Sequence, residues 1–202
     1  MLEPLNALGG LPAAQLDDDY GAQRARFIAA LHEGLDPKYR SVRRALRSPR
    51  YARLLDRLIS AASGPKLIAD ADRPARLLLP RMIRKPWNRM CKAAKRTDAR
   101  SPDDQLHELR IRVRRCRYTV ETGLRVLGPP AEKLASRLSR LQQALGEQHD
   151  AVVAQEYIER VAAKARATRV GAALLDRERR IDFRCRRAWP KAWEKVKRAK
   201  FF

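Results

Sequence analysis

Breaks at Gly9-Gly10-Leu11-Pro12, Asp36-Pro37, Ser48-Pro49, Ser63-Gly64-Pro65, Ser101-Pro102, Gly128-Pro129-Pro130 and Gly146 cut this sequence into segments where apolar residues recur every three or four positions. Ala, Leu, Arg, Glu and Lys fill those segments and β-branched runs are absent, so helix is favoured over strand throughout. The punctuation predicts helices over 17–34, 38–47, 50–62, 74–96, 103–126, 131–145, 148–168 and 170–199. Ser101-Pro102-Asp103-Asp104 reads as a helix start, with proline in the first turn and acids at the positive end of the dipole. With 202 residues, 45% of them apolar, the chain has the means to bury a core and is not the composition of a disordered tail. The expected fold class is all-α.

The charge is lopsided. Lys and Arg number 45 against 23 Asp and Glu, a formal charge of +22. Most of the excess lies after residue 72, since residues 1–72 hold about 11 basic and 9 acidic groups while 73–121 hold about 15 and 5. Self-repulsion of that size calls for an anionic partner. Three scattered cysteines, Cys91, Cys116 and Cys185, suit neither a disulfide framework nor a zinc site and fit a reducing compartment. The first twenty residues show no basic n-region or long apolar run, and no later window reads as a spanning helix, so the expectation is a cytoplasmic protein without membrane contact.

One segment carries most of the chemistry. On a helix over 106–121, Leu106, Leu109, Val113, Cys116 and Val120 form an apolar stripe, and His107, Arg110, Arg114, Arg117, Tyr118 and Glu121 share the adjoining arc. Cations spaced i, i+3, i+4, i+7 stand about one turn, roughly 5.4 Å, apart, and such a line repels itself unless an extended anion lies along it. Arg112 and Arg115 point away as ordinary solvated charges do. Two further helices offer cations opposite an apolar face: Arg81, Arg84, Lys92 and Lys95 on 74–96, and Arg180, Arg184, Arg187, Lys191 and Arg198 on 170–199. Long Lys and Arg side chains also serve simply to cover apolar surface, and Trp87 and Trp193 read as core rather than stacking platforms.

No catalytic constellation accompanies these cations. Gly9-Gly10 is not followed by a phosphate-loop lysine, and His32, His107 and His149 make no H-x-x-x-H or H-E-x-x-H pair. Glu147, His149 and Asp150 read as a polar helix start, not a metal site, and Asp17-Asp18-Asp19 as an acidic helix cap. Cys116 falls on the apolar stripe, where an inert thiol is expected. Surrounding arginines disfavour an imidazolium at His107, which suits a neutral ring donating one hydrogen bond to a phosphate oxygen. No metal, cofactor or enzymatic activity is expected.

The run H-x-x-R-I-x-x-[KR]-[KR]-x-R-Y-x-x-E, met here by His107, Arg110, Arg114, Arg115, Arg117, Tyr118 and Glu121, resembles the signature helix of the CHAD domain family, the conserved-histidine α-helical domains. Leu141-Gln142, Leu145-Gly146-Glu147 and Asp150 resemble the helix that follows it, and Ser48-Pro49-Arg50-Tyr51 with Leu54, Leu55 and Leu58 the close of the first half. The resemblance implies two four-helix bundles about a pseudo-twofold, here 1–96 and 97–202, with a basic channel between them that binds inorganic polyphosphate. On that basis the expected binding residues are His107, Arg110, Arg114, Arg117, Arg81, Arg84, Lys92, Arg180, Arg184 and Arg187.

The family carries an H-x-x-R helix in each half, and this sequence shows one. A faint repeat, Asn6-Ala7-Leu8-Gly9 against Gln143-Ala144-Leu145-Gly146, puts the missing counterpart about 30 residues upstream of Met1. A first bundle lacking that helix would expose an apolar groove, which favours a homodimer. Polyphosphate granules are then the expected location. A non-specific nucleic-acid binder is the alternative that a basic chain always raises, although aromatics at 6% and mostly on apolar stripes offer few stacking faces. An accessory module of a polyphosphate- or triphosphate-processing enzyme is the third.

Overall fold

The computed structural model describes residues 18–199. Among them the chain is helical with no strand: α1 Asp18–Leu46, α2 Pro49–Ser63, a 3-10 turn Ala69–Asp72, α3 Ala75–Ala94, α4 Asp103–Glu121, the single turn α5 Leu124–Leu127, α6 Pro129–Ala165 and α7 Thr168–Lys197. The all-α expectation holds. Asp18 and Asp19 do occupy the first turn of α1. Asp17 and the Asn6–Gly9 segment lie outside the described residues.

Two expected breaks are absent. Helix α1 runs unbroken through Pro37, and α6 through Gly146. Proline inside a helix removes one backbone hydrogen bond and glycine costs about 1 kcal/mol against alanine, penalties that the helix formers on either side outweigh. Glu147, His149 and Asp150 therefore stand in the middle of a 37-residue helix and not at a helix start. The 103–126 helix ends earlier than expected, at Glu121, and Gly123 separates it from α5. Ser101 does not cap α4 but ties off the preceding turn, its hydroxyl donating to Asp98 Oδ1 at 3.2 Å and accepting from Asp98 N at 2.9 Å.

The chain forms two compact units, and they do not divide after residue 96. One comprises residues up to Asp72 with Glu159–Ala173, the other Arg73–Ile158 with Leu174 onward. Helix α3 falls in the second because Ile83, Met90 and Ala94 belong to the same core as the stripe of α4.

In the first unit, Tyr20, Phe27, Ala30 and Leu31 of α1 are buried, as are Val161, Ala162, Ala165, Ala167 and Val170 of the α6–α7 corner. Arg26 donates to Ala165 O at 3.1 Å and Arg166 O at 3.2 Å, which satisfies carbonyls left over at the end of α6. Arg166 itself has φ 49°, the left-handed residue that ends the helix. Beyond Leu31 the side chains of α1 and α2 find little cover: Tyr39, Val42, Leu46, Leu54, Leu58 and Ile59 are all exposed.

The corner depends on Gly171. A Cβ there would fall 2.5 Å from Ala162 Cβ, too close for either helix to keep its place. Gly171→Ala is accordingly expected to lower stability by about 2 kcal/mol even though alanine gains about 1 kcal/mol in helix propensity. Thermal unfolding followed at 222 nm checks it; a stabilised variant would show that α6 and α7 do not approach so closely.

In the second unit, α3, α4, α6 and α7 surround one core. Leu106, Leu109, Val113, Cys116 and Val120 are at most 1% exposed, so the stripe read from the sequence is the buried face of α4. Leu134, Leu138, Leu141 and Leu145 of α6 and Trp189, Trp193 and Val196 of α7 complete it, and Trp87 packs against it.

Candidate anion-binding groove

Burying that stripe fixes where its neighbours go. Residues one step round the helix from Leu106, Leu109 and Cys116 come to lie along α6, which runs antiparallel to α4. His107 meets His149, with ring centroids 4.5 Å apart and planes tilted by 39°. One turn on, a Cβ on Gly146 would sit 3.9 Å from Arg110 Nε, so the guanidinium lies over bare backbone. Two turns further, Arg117 Nη1 donates to Ser139 Oγ at 3.4 Å. The three contacts share one register, and that register sets Arg114 opposite Gln142.

Charge along this line is unevenly satisfied. Arg117 lies 3.5 Å from Glu121 and its guanidinium carbon 4.9 Å from the centre of the Tyr118 ring. Arg110 is half-buried and Arg114 exposed, and among the described residues neither has an acidic partner. His107 Nδ1 is buried with no hydrogen-bond partner among the described residues. Leaving that nitrogen bare puts the ring's proton on Nε2, because a buried donor without an acceptor is the costlier choice. His149 is held below the usual imidazole value, chiefly by burial, then by Arg110 and His107 nearby, with Asp150 and Asp103 pulling the other way. The arrangement offers an imidazole and a row of cations, two of which lack acidic partners, beside the bare backbone of Gly146.

The other expected cations stand elsewhere. Arg81, Arg84 and Lys92 are exposed on α3. On α7, Arg180 pairs with Asp176, Arg187 lies 5.4 Å over the Phe183 ring and Arg184 is exposed. Arg112, read as solvated, is paired with Glu108, and Arg115 is exposed. Burial pushes the Cys116 thiol up to about 12 and burial with Glu147 nearby pushes Cys185 up to about 11, so neither is a nucleophile near neutral pH.

Two residues beside the groove escaped the sequence reading. His149 was masked by the supposed break at Gly146; its place ten residues after Ser139 on an unbroken helix is the signal that finds it. Arg186 is the other. It donates from Nε to both Asp182 oxygens at 3.0 Å, from Nη1 to Ser101 O at 2.8 Å and Ala99 O at 3.3 Å, and from Nη2 to Asp103. Gln148, 1% exposed, donates to Asp103 and Asp182 at 2.9 Å each. This network fixes the start of α4, and with it His107, against α6 and α7.

Among the described residues no helix is long and apolar enough to cross a membrane. No curated protein and no solved structure matches the chain. A family model described as CHAD domain matches residues 3–159, well over half of the sequence and inclusive of the whole His107 helix and the groove-lining part of α6. The chain belongs to the CHAD domain family.

Proposed function

We propose that this protein binds inorganic polyphosphate along the α4–α6 groove, as a binding module and not as an enzyme. The observation that carries the reading is the row His107, Arg110, Arg114 beside Gly146, in which half-buried and exposed cations have no acidic partner among the described residues. Cations kept in a line without counter-charge are costly unless a linear anion is to be bound, and the partly desolvated position of Arg110 strengthens its attraction for one. A thin, flexible chain of phosphates can follow the line where α4 meets α6 and touch His107, Arg110 and Arg114 in turn, which a stiff DNA duplex cannot. Membership of the family supports the same reading. The exposed cations of α3 and α7 would then steer the polymer rather than hold it. Such a protein would reside in the cytoplasm, on granules of the polymer.

The expected result is tighter binding of long-chain polyphosphate than of single-stranded or duplex DNA carrying the same number of phosphates. Competition at matched salt tests it. Across a salt series, three or four phosphates neutralised in the groove should give log K a slope of about −2 to −3 against log salt. Equal or tighter binding of DNA would replace this reading with non-specific nucleic-acid binding.

A further inference from the structure

The His107–His149 pair has a division of labour built into its geometry. His107 belongs to α4 and His149 to α6, and their rings are in contact at 4.5 Å. His107 Nδ1 is buried with no acceptor among the described residues, so that edge of the ring is closed to the groove. His149 has no such orphaned nitrogen and is half-buried, so it has access to the groove.

We propose that His149 is the proton-accepting member of this pair, so that a polyphosphate chain entering the groove is bound together with a proton. This rests on the polyphosphate reading of the groove and adds a regulator to it. Without an anion, burial, Arg110 and His107 keep the His149 ring neutral near pH 7. From α4, Arg110 and His107 oppose its charging and Asp103 favours it; on its own helix Asp150 favours it. From α7, Asp182 and Arg186 meet Gln148 and Asp103 next to it and largely offset each other. A row of phosphates laid over Arg110 cancels the opposing cation and supplies negative charge at the ring edge. The balance then tips toward the imidazolium.

The sign follows from linkage. A group whose proton affinity rises on binding takes up a proton between its free and bound values, so the complex tightens as pH falls through that window and levels off below it. The fold by which binding raises the proton affinity of His149 is the fold by which the complex tightens across that window. The internal phosphates of a long chain are strongly acidic and stay ionised over this range, so the polymer contributes little to the slope.

Isothermal titration with long-chain polyphosphate at constant salt, in buffers of different ionisation heat, reads proton uptake directly. The wild type should take up a fraction of one proton as the pH falls below the usual imidazole value and almost none at pH 8. His149→Gln should flatten the pH dependence and abolish the uptake. His107→Gln should weaken binding at every pH but leave it pH-dependent, with the window moved upward because one opposing group is gone. Binding that is independent of pH, or a slope that survives in His149→Gln, would overturn this inference and leave the polyphosphate reading standing. Failure of the polymer to bind at any pH would overturn both.

Discussion

Replacing His107 and Arg110 together by alanine is expected to weaken polyphosphate binding by about a hundredfold, while the double change at Arg112 and Arg115 costs no more than about threefold. All four residues lie on α4, and the cations among them carry the same formal charge, so composition predicts no difference. Position does. His107 and Arg110 stand against α6 where solvent is partly excluded, and a hydrogen bond between a charged donor and a phosphate there is worth about 1.5–3 kcal/mol. Arg112 is already paired with Glu108 and Arg115 is exposed. The two single losses at His107 and Arg110 should not add in full, because the residues are neighbours that act on one segment of polymer. Neither change should unfold α4, since Arg110 leaves no carboxylate orphaned and the apolar stripe is untouched. Equilibrium binding of the four single and two double variants, with circular dichroism as the folding control, measures it. Equal modest losses at all four positions would mean a diffuse basic surface and no groove.

Much of this site was legible in the amino-acid order because one physical rule covers it. The residues beside a buried stripe are placed by the stripe, so Leu106, Leu109, Val113, Cys116 and Val120 fix the direction of His107 and Arg110 before any partner helix is known. The identity of the partner surface was not legible. Pro37 and Gly146 both read as breaks, and nothing local shows that flanking residues carry the helix through them. Losing Gly146 as a helix residue also lost its meaning, because its missing Cβ matters only against Arg110. For the cations of α3 and α7 the limit is a related one: amphipathic periodicity says which face is exposed but not what the face looks toward. Arg184 and Arg187 sit on either side of Arg186 in sequence, yet Arg186 lies at the edge of the Cys185–Trp189 stripe and is drawn inward. The spacing Asp182–Arg186 next to that stripe hints at a partly buried pair; the loop carbonyls of Ala99 and Ser101, more than eighty residues away, are visible only in the fold.

That inward arginine supports the largest expected loss of stability. Arg186→Ala should destabilise the second unit by about 3 kcal/mol, because it strips one guanidinium from two carboxylates and two backbone carbonyls at once. Its side chain is 19% exposed and that of Asp182 22%, so water replaces these hydrogen bonds poorly, whereas Asp103 at 51% recovers part of its share. Asp103 and Asp182 would be left facing the same Gln148 amide with like charge and no cation between them. Arg186→Lys should recover less than half the loss, since a single ammonium cannot span four acceptors arranged for a planar fork. Removing Asp182 as well should restore more than lysine does, as expected when most of the cost is an abandoned charge and not a lost contact. All three tryptophans of the chain, Trp87, Trp189 and Trp193, lie in the second unit, so urea unfolding followed by their fluorescence reports on that unit alone. A loss under about 0.5 kcal/mol would place Arg186 among ordinary surface ion pairs. A loss near 3 kcal/mol with weakened polyphosphate binding at temperatures where the fold persists would tie the network to the groove, because the start of α4 carries His107 with it.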